Sequence, residues 1–249
     1  MCYDIKASLE AQLARAKKEQ DYAAMDEILE KLIPLTDLPL YHASGFSHPE
    51  LLIYTDRSPT FPEVATWGLV PEWVHDDVQR TKLWNNTLNA RGETIFEKPA
   101  FRTAANNNRC IIYVDGFYEH HHFKGKTYPF YIYRKDNGPL AFAGLWSEWT
   151  TPEGGTLKTF SIVTTTGNPL LAKIHNNPKL KEARMPLILD DENAEEWLNL
   201  KDRHTVEKLI RPLPEDLLTA HTVSRLRGKE YMGNQEEISS PVEYSELEF

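Results

Sequence analysis

Between residues 51 and 190 the chain is a succession of short runs rich in aromatic and β-branched residues: LLIYT, RCIIYVDGFYEH, YPFYIYR, LAFAGLWSEW, TFSIVTTT and MPLILD. Gly, Pro, Asn or Asp bounds each run, which is the pattern of strands separated by turns. Helical spacing is confined to the flanks. Leu9, Leu13 and Ala16, then Met25, Ile28, Leu29 and Leu32, recur at intervals of three and four, so residues 7 to 32 are predicted as helix, ended by Pro34. DDENAEEWLNL predicts a second helix with an acidic N-cap region, and a short third starts near TVEKLI. With no long linker and no internal repeat, the expectation is a single α+β domain built around antiparallel strands. It spans residues 1–225 with a helical insertion at about 7–33, followed by an acidic tail, 226–249, whose end is expected to be loosely held.

Composition narrows the setting. Two cysteines in 249 residues make no disulfide framework, so a reducing compartment is expected. No apolar run reaches membrane-spanning length, and no basic-then-apolar leader opens the chain, so the expectation is a cytoplasmic protein, nucleoid-associated if bacterial. The net charge of −9 argues against indiscriminate binding to nucleic acid. Yet Arg80 to Arg109 holds six basic residues against two acidic, while Lys229 to Phe249 holds one lysine and six glutamates.

Four places carry candidate chemistry. Cys2 follows Met1 directly. If Met1 is removed, one residue carries both a thiol and an α-amine, about a tenth of which is neutral at pH 7. A neutral amine attacks aldehydes to give a Schiff base, and the neighbouring thiol can close onto the same carbon as a thiazolidine. A thiolate for acyl transfer and an inert terminal residue are the alternatives. In LNARGET, Asn89 and Arg91 fall on one side of an extended segment, the first able to donate and accept, the second shaped for phosphate. In DGFYEHHHF, Glu119 sits among aromatic neighbours that would raise its pKa and suit it to general acid/base work. The His120–His122 run points to alternating faces of a strand and lacks a completing ligand set, so no metal is expected. In TFSIVTTTGNPLLAKIH, His175 can change charge near neutrality, and Thr164 and Thr165 can either bond phosphate or fill a β surface.

Taken in order, Met1-Cys2, WGLVPEW, NARGET, EKPAFR, RCIIYVDGFYEH, FAGLW, TFSIVTTT and IH followed by RMPLIL resemble the SOS-response-associated peptidase (SRAP) family. The resemblance implies a barrel-like core flanked by helices. It also implies covalent capture of abasic sites in single-stranded DNA by a monomeric protein that needs no cofactor. By motif, Cys2 is the nucleophile after removal of Met1, self-removal being one route the resemblance implies. Asn89 positions the cysteine or sugar, Glu119 serves as acid/base, and His175 assists proton transfer. Arg91 and Arg184 contact phosphate, and Trp67 stacks on a base. A thiol peptidase and a noncovalent binder of modified DNA are the competing functions.

This chain departs from the family pattern in three places. Tyr3 and Asp4 stand where the family has Gly and Arg, and His120 replaces an aromatic residue. The link from His175 to Arg184 is lengthened, bringing in Lys179 and Lys181 beside Lys173.

Overall fold

The structure, a computed structural model, describes residues 2–247. Its strands are β1 Asp4–Ala7, β2 Leu40–Ser44, β3 Glu50–Thr55, β4 Glu63–Trp67, β5 Asn89–Arg91, β6 Arg109–Val114, β7 Gly116–Phe123, β8 Lys126–Arg134, β9 Leu140–Thr150, β10 Thr156–Thr166, β11 Arg184–Pro186, β12 Ile188–Leu189 and β13 Leu218–Thr222.

They form two layers. In one, β10, β4, β3, β6 and β9 are neighbours in that order and β9 pairs back onto β10, closing a five-stranded barrel. Closure leaves no open edge within that ring. The other layer is an antiparallel sheet in the order β13-β8-β7-β1-β2. The molecule is therefore α+β, as expected. The barrel is not wholly antiparallel, because β4 and the short β5 both run parallel to β10.

The continuous apolar runs follow from burial on both faces of these strands. Along β3, Leu51 and Ile53 enter the main core with Ile112, Phe142 and Phe160, while Tyr54 joins a second cluster with Ile111, Leu145 and Trp197. Ile5, Phe117, Phe130 and Ile132 of the flanking sheet complete the main core. Every residue of β6 is buried, so no polar alternation is visible in RCIIYV.

The helical insertion is not one helix. It consists of short segments, Leu9–Gln12, Ala14–Lys18 and Tyr22–Glu27, then a π-helical and a 3-10 turn ending at Leu35. The break falls where Gln20 takes a left-handed φ of 56° and Asp21 caps the next segment by accepting from Ala24 N–H. The insertion is fastened to the barrel by Gln12, which donates to Tyr113 O and accepts from Leu52 N–H at 2.7 Å. Those two backbone groups lie beyond the β3–β6 pairing of Tyr54 with Ile111 and Thr55 with Cys110, so a side chain takes over from the ladder.

The tail is packed rather than loose. Leu226 and Ile238 are buried in a cluster with Tyr118 and Tyr131, and Val242 N–H donates to Thr222 O at 2.9 Å. Asn234 Oδ1 accepts from the backbone N–H groups of Tyr41 and His42, sealing the open edge of β2. The basic stretch from 80 to 109 is not one face either. Arg109 is buried and donates to the carbonyls of Trp197, Ala105 and Leu200, and Arg80 stacks on Trp84 and Trp149. Among the described residues no helix is long and apolar enough to cross a membrane.

Candidate functional site

Cys2 lies two residues before the start of β1, the strand held between β2 and β7. Its position is set from the barrel: Asn89 of β5 donates through Nδ2 to Cys2 O at 2.7 Å. Asn89 is itself fixed because β5 pairs with β10, placing it opposite Ile162. The barrel and the flanking sheet thus meet at the second residue of the chain.

Glu119 sits on β7, one residue beyond Tyr118, which pairs with Asp4 of β1. It is buried, and burial raises its pKa to about 7. His175 closes the short helix Pro169–Ile174, whose first turn is capped by Asn168 Oδ1 accepting from Leu171 N–H. Its Nδ1 lies 3.1 Å from Arg184 O and 3.7 Å from Glu119 Oε1. A carbonyl only accepts, so Nδ1 carries the hydrogen and Nε2 keeps its lone pair. Burial drops the imidazole pKa to about 4, so the ring is neutral at physiological pH. Burial, reinforced by the nearby Glu119 charge, pushes the Cys2 thiol well above its ordinary value.

Next to these groups opens a cavity of about 420 Å³, lined by Tyr3, Glu119, His120, His175, Arg225 and Arg227 among others. His122 also lines it, whereas His121 bonds to Lys173 O, so the histidine run divides between two environments. Among the described residues no group of three or more His, Cys, Asp or Glu is placed to hold a metal ion. Tyr3 packs against Phe46 with ring centroids 5.0 Å apart, and Phe46 is 48% exposed.

The expected DNA contacts divide. Arg91 is exposed at the end of β5. Trp67 has no exposed surface, donates Nε1–H to Leu88 O at 2.8 Å and stacks on Phe160, so it is a core residue and not a base-stacking one. Thr164 and Thr165 are enclosed in the β10 ladder, and the Thr164 hydroxyl lies 3.2 Å from Arg184 Nη2. Arg184 is 1% exposed and makes a two-pronged bond to Glu93, at 2.8 and 2.9 Å, and a third to Thr164 O at 2.8 Å. Glu93 is held below its usual pKa by that bond against the opposing effect of burial. Arg184 therefore contacts no phosphate in this arrangement; its backbone carbonyl orients His175 instead. Replacing it with methionine is expected to cost about 2 kcal/mol in a denaturant titration, by stripping donors from a buried carbonyl. Met1, whose removal is expected, lies outside the described residues.

Residues that sequence reasoning missed are Tyr3, Arg225 and Arg227. The first was readable from adjacency to Cys2; the arginines come from a tail whose fold is set by distant partners.

A closed barrel and its neighbouring sheet bring Cys2, a buried carboxyl group and a neutral imidazole together in one candidate site. Residues 5–229 match the family described as SOS response associated peptidase (SRAP), and the chain belongs to that family. The abasic site processing protein YoqW of Bacillus subtilis (strain 168) is 39% identical over 213 residues, 82% of this chain and 90% of that one. The abasic site processing protein HMCES of Pongo abelii is 30% identical, over 93% of this chain and 73% of that one. A crystal structure of a Bacteroides thetaiotaomicron protein, 32% identical, superposes with a TM-score of 0.83 and covers 97% of this chain and 100% of the other.

Proposed function

We propose that this protein processes abasic sites in damaged DNA, and that it does so by capturing the ring-opened sugar in single-stranded DNA as a thiazolidine on Cys2. Family membership and the names of the relatives support the first part. The observation that carries the second is the Asn89 bond to Cys2 O beside Glu119 and His175.

Met1 is first hydrolysed off, which the site performs on its own chain, freeing the Cys2 amine. The neutral amine adds to the sugar aldehyde to give a carbinolamine. Glu119, half-protonated near pH 7, donates a proton to the leaving hydroxyl, and water departs to leave the imine. The thiol then adds to the imine carbon, forming the C–S bond, while its proton passes to nitrogen with His175 Nε2 suited to relay it. The balance is aldehyde plus aminothiol giving thiazolidine and one water. A thiol held protonated by burial favours this amine-first order over a thiolate attacking peptides in trans.

A recessed cysteine reaches a sugar only when the strand is free of its complement, which supports a single-stranded substrate. The Tyr3–Phe46 pair offers the stacking surface that buried Trp67 does not. The test is intact-mass analysis of the purified protein before and after incubation with an oligonucleotide bearing one abasic site. The expected species lacks methionine, then gains the oligonucleotide mass less one water. Retention of Met1, or no covalent product, overturns the proposal.

A further inference from the structure

We infer that Arg227 grips a DNA phosphate at the mouth of the cavity and that Asp4 exists to aim it. This rests on the function proposed above.

Asp4 is buried, with a side chain 5% exposed, yet it remains charged: bonds from His42 and Arg227 hold its pKa below the usual value against burial. Arg227 reaches it from the tail, Nη2 donating at 3.1 Å to one carboxylate oxygen and 2.9 Å to the other. The carboxylate oxygen that Nη2 reaches at 3.1 Å, Oδ1, also meets His42 Nε2 at 3.1 Å, and His42 Nδ1 meets Tyr231 OH at 2.9 Å. One buried acid thus fixes an arginine by one nitrogen only. The Arg227 side chain is 59% exposed and lines the cavity with Glu119 and His175, with Nε and Nη1 still carrying unused donors. A guanidinium pinned at one nitrogen has lost most of the rotamer freedom that binding would otherwise cost, and its remaining N–H groups suit a phosphate.

Arg225, two residues earlier, is placed otherwise. It lies over the rings of Tyr128 and Tyr244 and donates to Thr127 O, so it braces the wall. Asp4 stands where the family pattern has an arginine, and it holds an arginine from the other end of the chain.

The test uses an oligonucleotide carrying tetrahydrofuran, an abasic analogue without an aldehyde, so that binding is read apart from chemistry. Arg227→Gln is expected to weaken binding roughly five- to tenfold at moderate salt and to lower the slope of log K against log salt by about 0.7, one phosphate on a single strand. Capture of free 2-deoxyribose, which has an aldehyde and no phosphate, is expected to fall by a smaller factor than binding of the oligonucleotide. The double variant Asp4→Asn/Arg227→Gln removes the pair from both sides; it is expected to bind as weakly as the single variant. An unchanged slope in Arg227→Gln, or restoration of binding in the double variant, overturns the inference and leaves the pair as a fastening. Failure of the wild-type protein to capture 2-deoxyribose or the abasic oligonucleotide would instead sink the parent proposal.

Discussion

Cys2→Ala is expected to abolish the heat-stable adduct with abasic DNA, a loss of at least about 100-fold, without abolishing first contact with the aldehyde. Prepared with Met1 already removed, as intact mass verifies, the variant keeps an α-amine at residue 2, and Asn89 still finds its carbonyl. An imine should therefore form and be trapped by borohydride, but no ring can close on it. A denaturing gel run with and without borohydride separates the two steps. Stable adduct at the wild-type level in Cys2→Ala would remove the thiol from the mechanism, and an absent borohydride product would remove the amine.

Glu119→Gln is expected to slow capture by about 10²–10³-fold, the usual worth of a general acid. The pH profile tells more. Capture needs a neutral amine, whose pKa is about 7.7–8.0, and a protonated Glu119, whose pKa is about 7. Rate therefore rises with pH on one limb and falls on the other, with a maximum near pH 7.4; the glutamine variant keeps only the rising limb. Stability moves the opposite way. The folded pKa of about 7 exceeds the ordinary glutamate value of 4.5, so the folded state holds the extra proton between them. The wild type loses stability as pH climbs from 4.5 to 7, by about 3 kcal/mol in all, and the cost persists above 7. Glu119→Gln, neutral throughout, is expected to melt higher than wild type at pH 8 and alike at pH 4. Equal melting temperatures at pH 8 would mean that Glu119 carries no such burden.

The strands that define the barrel were legible because burial on both faces leaves unbroken apolar runs, as in RCIIYV and LAFAGLW. β1 was not, since DIKA carries two charges whose partners, Arg227 for Asp4 and Ser239 for Lys6, lie more than 200 residues away. The same distance hid the packing of the tail, whose acidic composition speaks of solvent while Leu226 and Ile238 are buried. The candidate groups Cys2, Glu119 and His175 stood out only as members of an ordered set of motifs, since each alone is as readily structural. Direction was beyond residue type. Trp67 and Trp73 share one motif, yet Gly68, at φ 122°, turns the backbone between them, leaving the first with no exposure and the second 42% exposed. Arg184 and Arg227 are equally cationic on paper; Glu93 and Thr164 consume one, while Asp4 leaves the other half open.

The placement of β1 has a mechanical side. The residue that would carry the DNA is the lead-in to a strand zipped on both flanks, to β2 and to β7, and anchored at Cys2 O by the barrel. A motor hauling on a captured strand pulls on that strand first, and two ladders and a cross-layer tether share the load. Bent free ends of a chain are easily peeled; a central strand gives way only when its neighbours do. An adduct on Cys2 would thus be moored at a point where tension is resisted by the fold as a whole, and clearing it by force would amount to unfolding the protein.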